Sequence, residues 1–323
     1  MEVLADLLQT EEPLIRRKAL LRLTGKKPDS TDVQAVTDEA RVSTLVRTLL
    51  SEQDETGEIF LHPYQKWRGA HWVLACLADL DYPPGDERLR PLLEQVYGWL
   101  LSAHHLKSVK VLAGRARHCA SLEGNALYAS LALGLADDRS QELAQRLMRW
   151  QWPDGGWNCD KNPAADTSSF MESLIPLRAL ALYARHSGDP QARQASQVAA
   201  EVFLQRQMYL RRRDGAVIYP DFICLHYPCY WHYDILFGLK VMAEAGFIED
   251  PRCRPALDLL ESKRLAGGGF PSEGKYYRTS EKVKSGRSLV NWDGYRLASN
   301  HRASIFVTLD ALFVLQHAGR ITI

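Results

Sequence analysis

The sequence predicts an all-α fold in which about five to six helical hairpins close on themselves as an α/α toroid. The first observation is helical spacing: apolar residues recur at three- and four-residue steps, as in Leu89, Leu92, Leu93, Val96, Trp99 and Leu100, which places them on one helix face. The second is a set of five segments apolar on every side, His71–Leu77, Ala126–Leu131, Ser173–Leu177, Asp234–Leu239 and Thr308–Leu312. Their irregular recurrence reads as a repeat. The third is that amphipathic stretches, near 89–103, 138–150, 191–211 and 252–264, separate the apolar ones. An inner layer wholly covered by an outer layer with one wet face satisfies both patterns, and an open solenoid is the alternative arrangement.

The elements follow in order. Residues 1–55 lack the loop features of the later units and are expected as N-terminal capping helices packed on the ring, with 56–323 as the toroid proper, one structural domain overall. The basic run Arg16-Arg17-Lys18 reads as solvated helix surface. Asp189-Pro190 and Asp250-Pro251 each pair a capping residue with a proline suited to a first helical turn, so helices should begin there. Loops that precede the inner helices then gather at one mouth. They bring His62, Lys66, Trp67, Arg68, His71 and Trp72 from the first unit, Arg115, Arg117, His118 and Glu123 from the second, and Asp160, Lys161, Asp166 and Glu172 from the third. His301 and Arg302 come from the last unit.

Composition narrows the setting. The 323 residues carry 40 Lys+Arg against 39 Asp+Glu, a formal net charge of +1, so no nucleic-acid partner is expected from overall charge. The start Met1-Glu2-Val3-Leu4-Ala5-Asp6 lacks the basic region of a secretory signal, and no apolar run approaches the ~18 residues of a membrane span. Six scattered cysteines suit a reduced, cytoplasmic protein.

Gln151-Trp152-Pro153-Asp154-Gly155-Gly156-Trp157 fits a Q-x-x-x-G-x-W pattern and resembles the QW repeat of squalene and oxidosqualene cyclases. Gly268-Gly269-Phe270 with Asn291-Trp292-Asp293-Gly294-Tyr295 is similar to a stretch of protein prenyltransferase β subunits. The resemblance implies a squalene cyclase and prenyltransferase-like superfamily member, covering roughly residues 56–319, with an isoprenoid or prenyl diphosphate as its small-molecule ligand in a central cavity. Two departures stand out. No Asp-x-Asp-Asp acid motif exists, since Asp79-Leu80-Asp81-Tyr82 lacks the last acid, and Tyr295 stands where a zinc-binding thiolate would be.

On this reading Asp160, His232 and Asp293 are the candidate acids and bases. Lys275, Tyr276, Arg278 and Arg287 of a basic loop, which also includes Lys282 and Lys284, hold the anion by charge-assisted hydrogen bonds. His71, Trp72, Arg117, Trp231 and Trp292 shape the substrate site. Cys229 and His232, three apart, form a candidate zinc pair, with aromatic packing as the other reading. Two further functions stay open: a carbohydrate-active lyase or hydrolase, in which Tyr, His and Arg move protons and tryptophans stack on sugar rings, and a ligand-binding toroid without chemistry.

Overall fold

The computed structural model describes residues 2–283 and 285–322. Helices α1 (Glu2–Gln9), α2 (Pro13–Arg22), α3 (Thr31–Arg41) and α4 (Thr44–Leu49) come first. Then follow α5 (Ala70–Asp79), α6 (Arg90–Leu100) and the short α7 (Ala103–Ser108). An antiparallel hairpin, β1 (Lys110–Leu112) with β2 (Arg115–Arg117), leads into α8 (Ser121–Ala132) and α9 (Asp138–Trp150). The chain continues through α10 (Phe170–Ser187), α11 (Pro190–Leu204), α12 (Ile235–Ala245), α13 (Arg254–Ser262) and α14 (Ile305–His317).

Burial sorts these helices into two layers. Every residue of α8 from Ser121 to Leu131 and of α14 from Ile305 to Leu315 is buried, whereas α9 buries Ser140, Leu143, Ala144 and Leu147 on one face and leaves the other wet. The inner helices pack in sequence: α5 on α8, α8 on α10, α10 on α12, α12 on α14. The ring closes through α2, which packs on α14 and sends Arg17 and Arg22 to Asp81 just beyond α5. Outer helices α3, α6, α9, α11 and α13 each cover the inner helix that precedes them. The fold is thus the expected α/α toroid. Among residues 1–55, expected to cap it, α2 stands in the inner ring and Lys18 is buried.

Local chemistry sets the boundaries. Asp189 accepts hydrogen bonds from the Gln191 and Ala192 amides to start α11 at Pro190, as its sequence predicts. Asp250 starts a 3₁₀ turn, Pro251–Cys253, that runs into α13. Gly124 marks a close contact between α8 and α10, because a Cβ there would lie 2.9 Å from the Pro176 nitrogen in α10. The Gln151–Trp157 stretch is a clasp after α9: Gln151 donates to the Gly155 and Ala195 carbonyls, and the Trp157 indole donates to Leu147.

The centre of the ring is filled with charge. Lys18 and Lys240 each hold Asp310 at 2.8 Å, and Lys240 also holds Asp79 at 2.8 Å. Arg178 bridges Asp79 at 2.9 Å and Glu244 at 2.6 Å, while Arg22 pairs with Asp81 at 2.5 Å. Burial alone would raise the Asp79 carboxyl, but Lys240, Lys18 and Arg178 hold it well below the usual carboxylate range. Beside this network, Cys76, Asp79, Asn125, Arg178, Tyr227 and Phe237 help enclose a cavity of about 30 Å³, room for roughly one or two waters. The expected isoprenoid pocket at the ring centre is corrected on this point, since small-molecule pockets run to ~300 Å³ or more. No described helix is long and apolar enough to cross a membrane.

Candidate active site

The loops before the inner helices do meet at one end of the ring, and one opening there is a cavity of about 630 Å³. Tyr64, from the loop before α5, and Trp231, from the loop before α12, line one part of it, and Trp99 and His105 line another. The β-hairpin delivers Arg117, His118 and Cys119, while Cys159, Lys161 and Glu172 come from the start of α10 and the loop before it. Tyr64 stacks beside Trp231 with ring centroids 6.4 Å apart and meets Trp99 at 5.9 Å.

Glu123, wholly buried in the first turn of α8, ties two of these groups together. It accepts from Nε2 of His105 at 2.9 Å and of His118 at 2.8 Å. Burial pushes the carboxyl up, but the two imidazole hydrogen bonds outweigh it and hold the pKa at about 2. An ionised carboxylate only accepts, so Nε2 carries the hydrogen in both rings.

Glu172 is different. Its Oε2 accepts from the Ser121 amide at 3.1 Å and its Oε1 lies 3.7 Å from the Cys159 sulfur. Burial raises its carboxyl, and no lysine or arginine among the described residues makes an ion pair with it. Arg117 is 2% exposed. Its guanidinium donates to the Ala165 carbonyl at 2.9 Å and sits 4.4 Å from the Trp152 ring centre, yet Nε and one terminal nitrogen have no partner.

A second opening, about 600 Å³, lies on the far side of Trp67 and is lined by Lys66, His232, Tyr276, Arg278, Lys282 and Gly286. Here His232 stacks on Tyr276 at 3.7 Å, and burial holds the imidazole at about 3, hence neutral.

These positions redistribute the residues named from sequence. Arg117 and Trp231 meet in the larger cavity, and His232, Tyr276 and Arg278 in the smaller. His71, Trp72 and Trp292 are buried in the packing beneath the mouth: the Trp72 indole donates to the Tyr64 carbonyl, the Trp292 indole to Ser288, and both His71 nitrogens lack a partner. Lys275 pairs with Asp293 at 2.8 Å and Arg287 with Glu281 at 3.1 Å, so two of the expected anion-binding cations already have carboxylates. Lys284 lies outside the described residues. Asp160 is exposed and accepts from the Asn162 amide, shaping its own loop.

The Cys229–His232 spacing suggests a zinc pair, yet His232 is not in the close three-residue ligand group found around Cys229 among the described residues. Cys229 groups with His226 and Asp234 instead. Asp234 there accepts from the His226 and Phe237 amides at 2.8 Å and lies 2.7 Å from the His226 ring, so its oxygens are spent on the start of α12. His118, Glu123 and Glu172 reach the mouth as expected, whereas Tyr64, Trp99, His105, Cys119 and Cys159 were not singled out. Nothing in their spacing announces them, because four separate loops supply the cavity.

No protein-family model matches the chain, and no curated protein matches it. Solved structures with a similar course include an unsaturated glucuronyl hydrolase specific for heparin, with a TM-score of 0.45 and 10% identity over 96% of this chain and 85% of that one. The Lin0763 protein from Listeria innocua gives 0.42 and 12% over 98% and 84%. A protein from Actinoplanes gives 0.41 and 17% over 98% and 88%. Likeness at this level carries no argument about chemistry.

Proposed function

We propose that the chain is a carbohydrate-active enzyme, a lyase or hydrolase, that works by proton transfer in the 630 Å³ mouth cavity. The observation that carries this reading is the His105–Glu123–His118 group in the wall of an aromatic cavity. A carboxylate buried behind two imidazoles fixes their tautomer and orientation and stabilises the imidazolium that forms when one of them takes a proton. Tyr64, Trp99 and Trp231 give apolar faces suited to the C–H side of a sugar ring, and Arg117 has unpartnered donors for a carboxylate, sulfate or hydroxyl. A base of this kind serves either to remove a proton beside a uronate carboxyl or to activate water at a glycosidic bond.

Products separate those two reactions. The purified chain, incubated with neutral and acidic oligosaccharides, should release either an unsaturated sugar, seen by its new absorbance, or a saturated reducing end. His118→Gln can still donate to Glu123, and it should lower turnover by roughly 10²–10⁴-fold with little change in KM. Full activity in that variant, or no saccharide turned over or bound across the panel, would overturn the reading.

A further inference from the structure

Among the described residues, three clusters bring histidine, cysteine and carboxylate atoms close enough to share an ion: His105/His118/Glu123, His226/Cys229/Asp234 and Cys119/Cys159/Glu172. In the first two the carboxylate is already engaged. Glu123 is satisfied by two imidazole donors, and Asp234 by two amides and the His226 ring. The third differs. It gathers two thiols and a carboxyl, all acids, and Glu172 accepts from the Ser121 amide while no lysine or arginine among the described residues makes an ion pair with it. All three side chains line the 630 Å³ cavity.

We propose that Cys119, Cys159 and Glu172 form a binding site for a thiophilic divalent cation, zinc foremost. The spacing fits. With Zn–S near 2.3 Å and Zn–O near 2.0 Å, ligand atoms of a tetrahedral site lie about 3.5–3.8 Å apart. The Cys159 sulfur and Glu172 oxygen are 3.7 Å apart, and all three ligand atoms fall within 4.8 Å of one another. Two sulfurs select against magnesium and calcium, which take oxygen. Three protein ligands leave a fourth position, and the cavity supplies it, so the ion would face a bound molecule as a Lewis acid. Binding exchanges protons for metal: each S–H proton leaves to solvent as a sulfur–metal bond forms. The site is independent of the reading as a carbohydrate enzyme and would stand without it.

The test uses the full chain, reduced, stripped with chelator and titrated with Co²⁺ and then Zn²⁺. The expected result is one Co²⁺ per chain with a thiolate-to-cobalt charge-transfer band and tetrahedral ligand-field bands, both erased by an equivalent of Zn²⁺. Cys119→Ser and Cys159→Ser should each weaken the charge-transfer band, and the double variant should lose it. Glu172→Gln should keep the band with weaker binding, and Cys229→Ser should behave as wild type. Should a serine variant fold poorly, protection of wild-type thiols by Zn²⁺ against alkylation, mapped to Cys119 and Cys159 by peptide mass, gives the same answer. A missing charge-transfer band, one that survives in the double variant, or two thiols lost to a metal-independent disulfide would overturn the site. Saccharide turnover plays no part in these readouts, so failure here and failure of the proposed function are distinguishable.

Discussion

The centre of the ring and its mouth both place ionisable groups out of water, and they balance them in opposite ways. At the centre Asp79, Asp81, Glu244 and Asp310 face Lys18, Arg22, Arg178 and Lys240, acid against base, in contacts of 2.5–2.9 Å for each group. At the mouth Cys119, Cys159 and Glu172 sit together without an ion-pair partner among the described residues, and Arg117 keeps unpartnered nitrogens. A matched set holds helices in register and needs nothing from outside. An unmatched set beside a cavity has capacity left for a ligand. The difference separates framework from site without appeal to relatives.

The sharpest way to break this comparison is to unbalance the centre. Lys240→Met removes the one cation among the described residues that touches both Asp79 and Asp310, leaving buried negative charge in excess. Breaking a buried pair in this way costs about 3–5 kcal/mol, which urea denaturation would register as a lower midpoint. A loss under ~1 kcal/mol, the range of exposed pairs, would show that water already reaches the network.

Acid should dissolve the same balance more gradually. Burial alone would raise the Asp79, Asp81 and Glu244 carboxyls, but the neighbouring cations hold each below its ordinary value. The unfolded chain therefore binds these protons more readily than the folded one. The stability they contribute is present above the unfolded carboxylate range, near pH ~4, and is lost as pH falls through the lower folded values. Denaturation midpoints should hold from neutrality to the edge of that range and then decline, with a shallower decline in Asp79→Asn. An equal slope in the variant would remove Asp79 from the account.

Much of the ring was legible because burial on all sides demands apolar residues on all sides. All five segments picked out that way lie in inner helices, α5, α8, α10, α12 and α14. The sixth inner helix, α2, escaped for an equally physical reason. Its Arg16-Arg17-Lys18 run reads as wet surface, but Lys18 meets Asp310, 292 residues away, and is buried by that pairing. Asp79 and Asp81 likewise look like a broken acid motif until their partners in α2, α10 and α12 are seen. The mouth was half legible: loop position alone brought His118, Glu123 and Glu172 there. Cys119 and Cys159 gave no local signal, since their meeting depends on the β-hairpin and the loop before α10 converging.

The mildest substitution probes the unmatched side. Glu172→Gln keeps an oxygen to accept from the Ser121 amide and keeps the side-chain volume, while removing a buried carboxyl that has no lysine or arginine ion pair among the described residues. Nothing of opposite charge is stranded, so without metal the change in unfolding free energy should stay within ~1 kcal/mol and can fall on the stabilising side. A loss as large as that of Lys240→Met would mean that Glu172 is paired in solution after all. The mouth would then be framework, built like the centre.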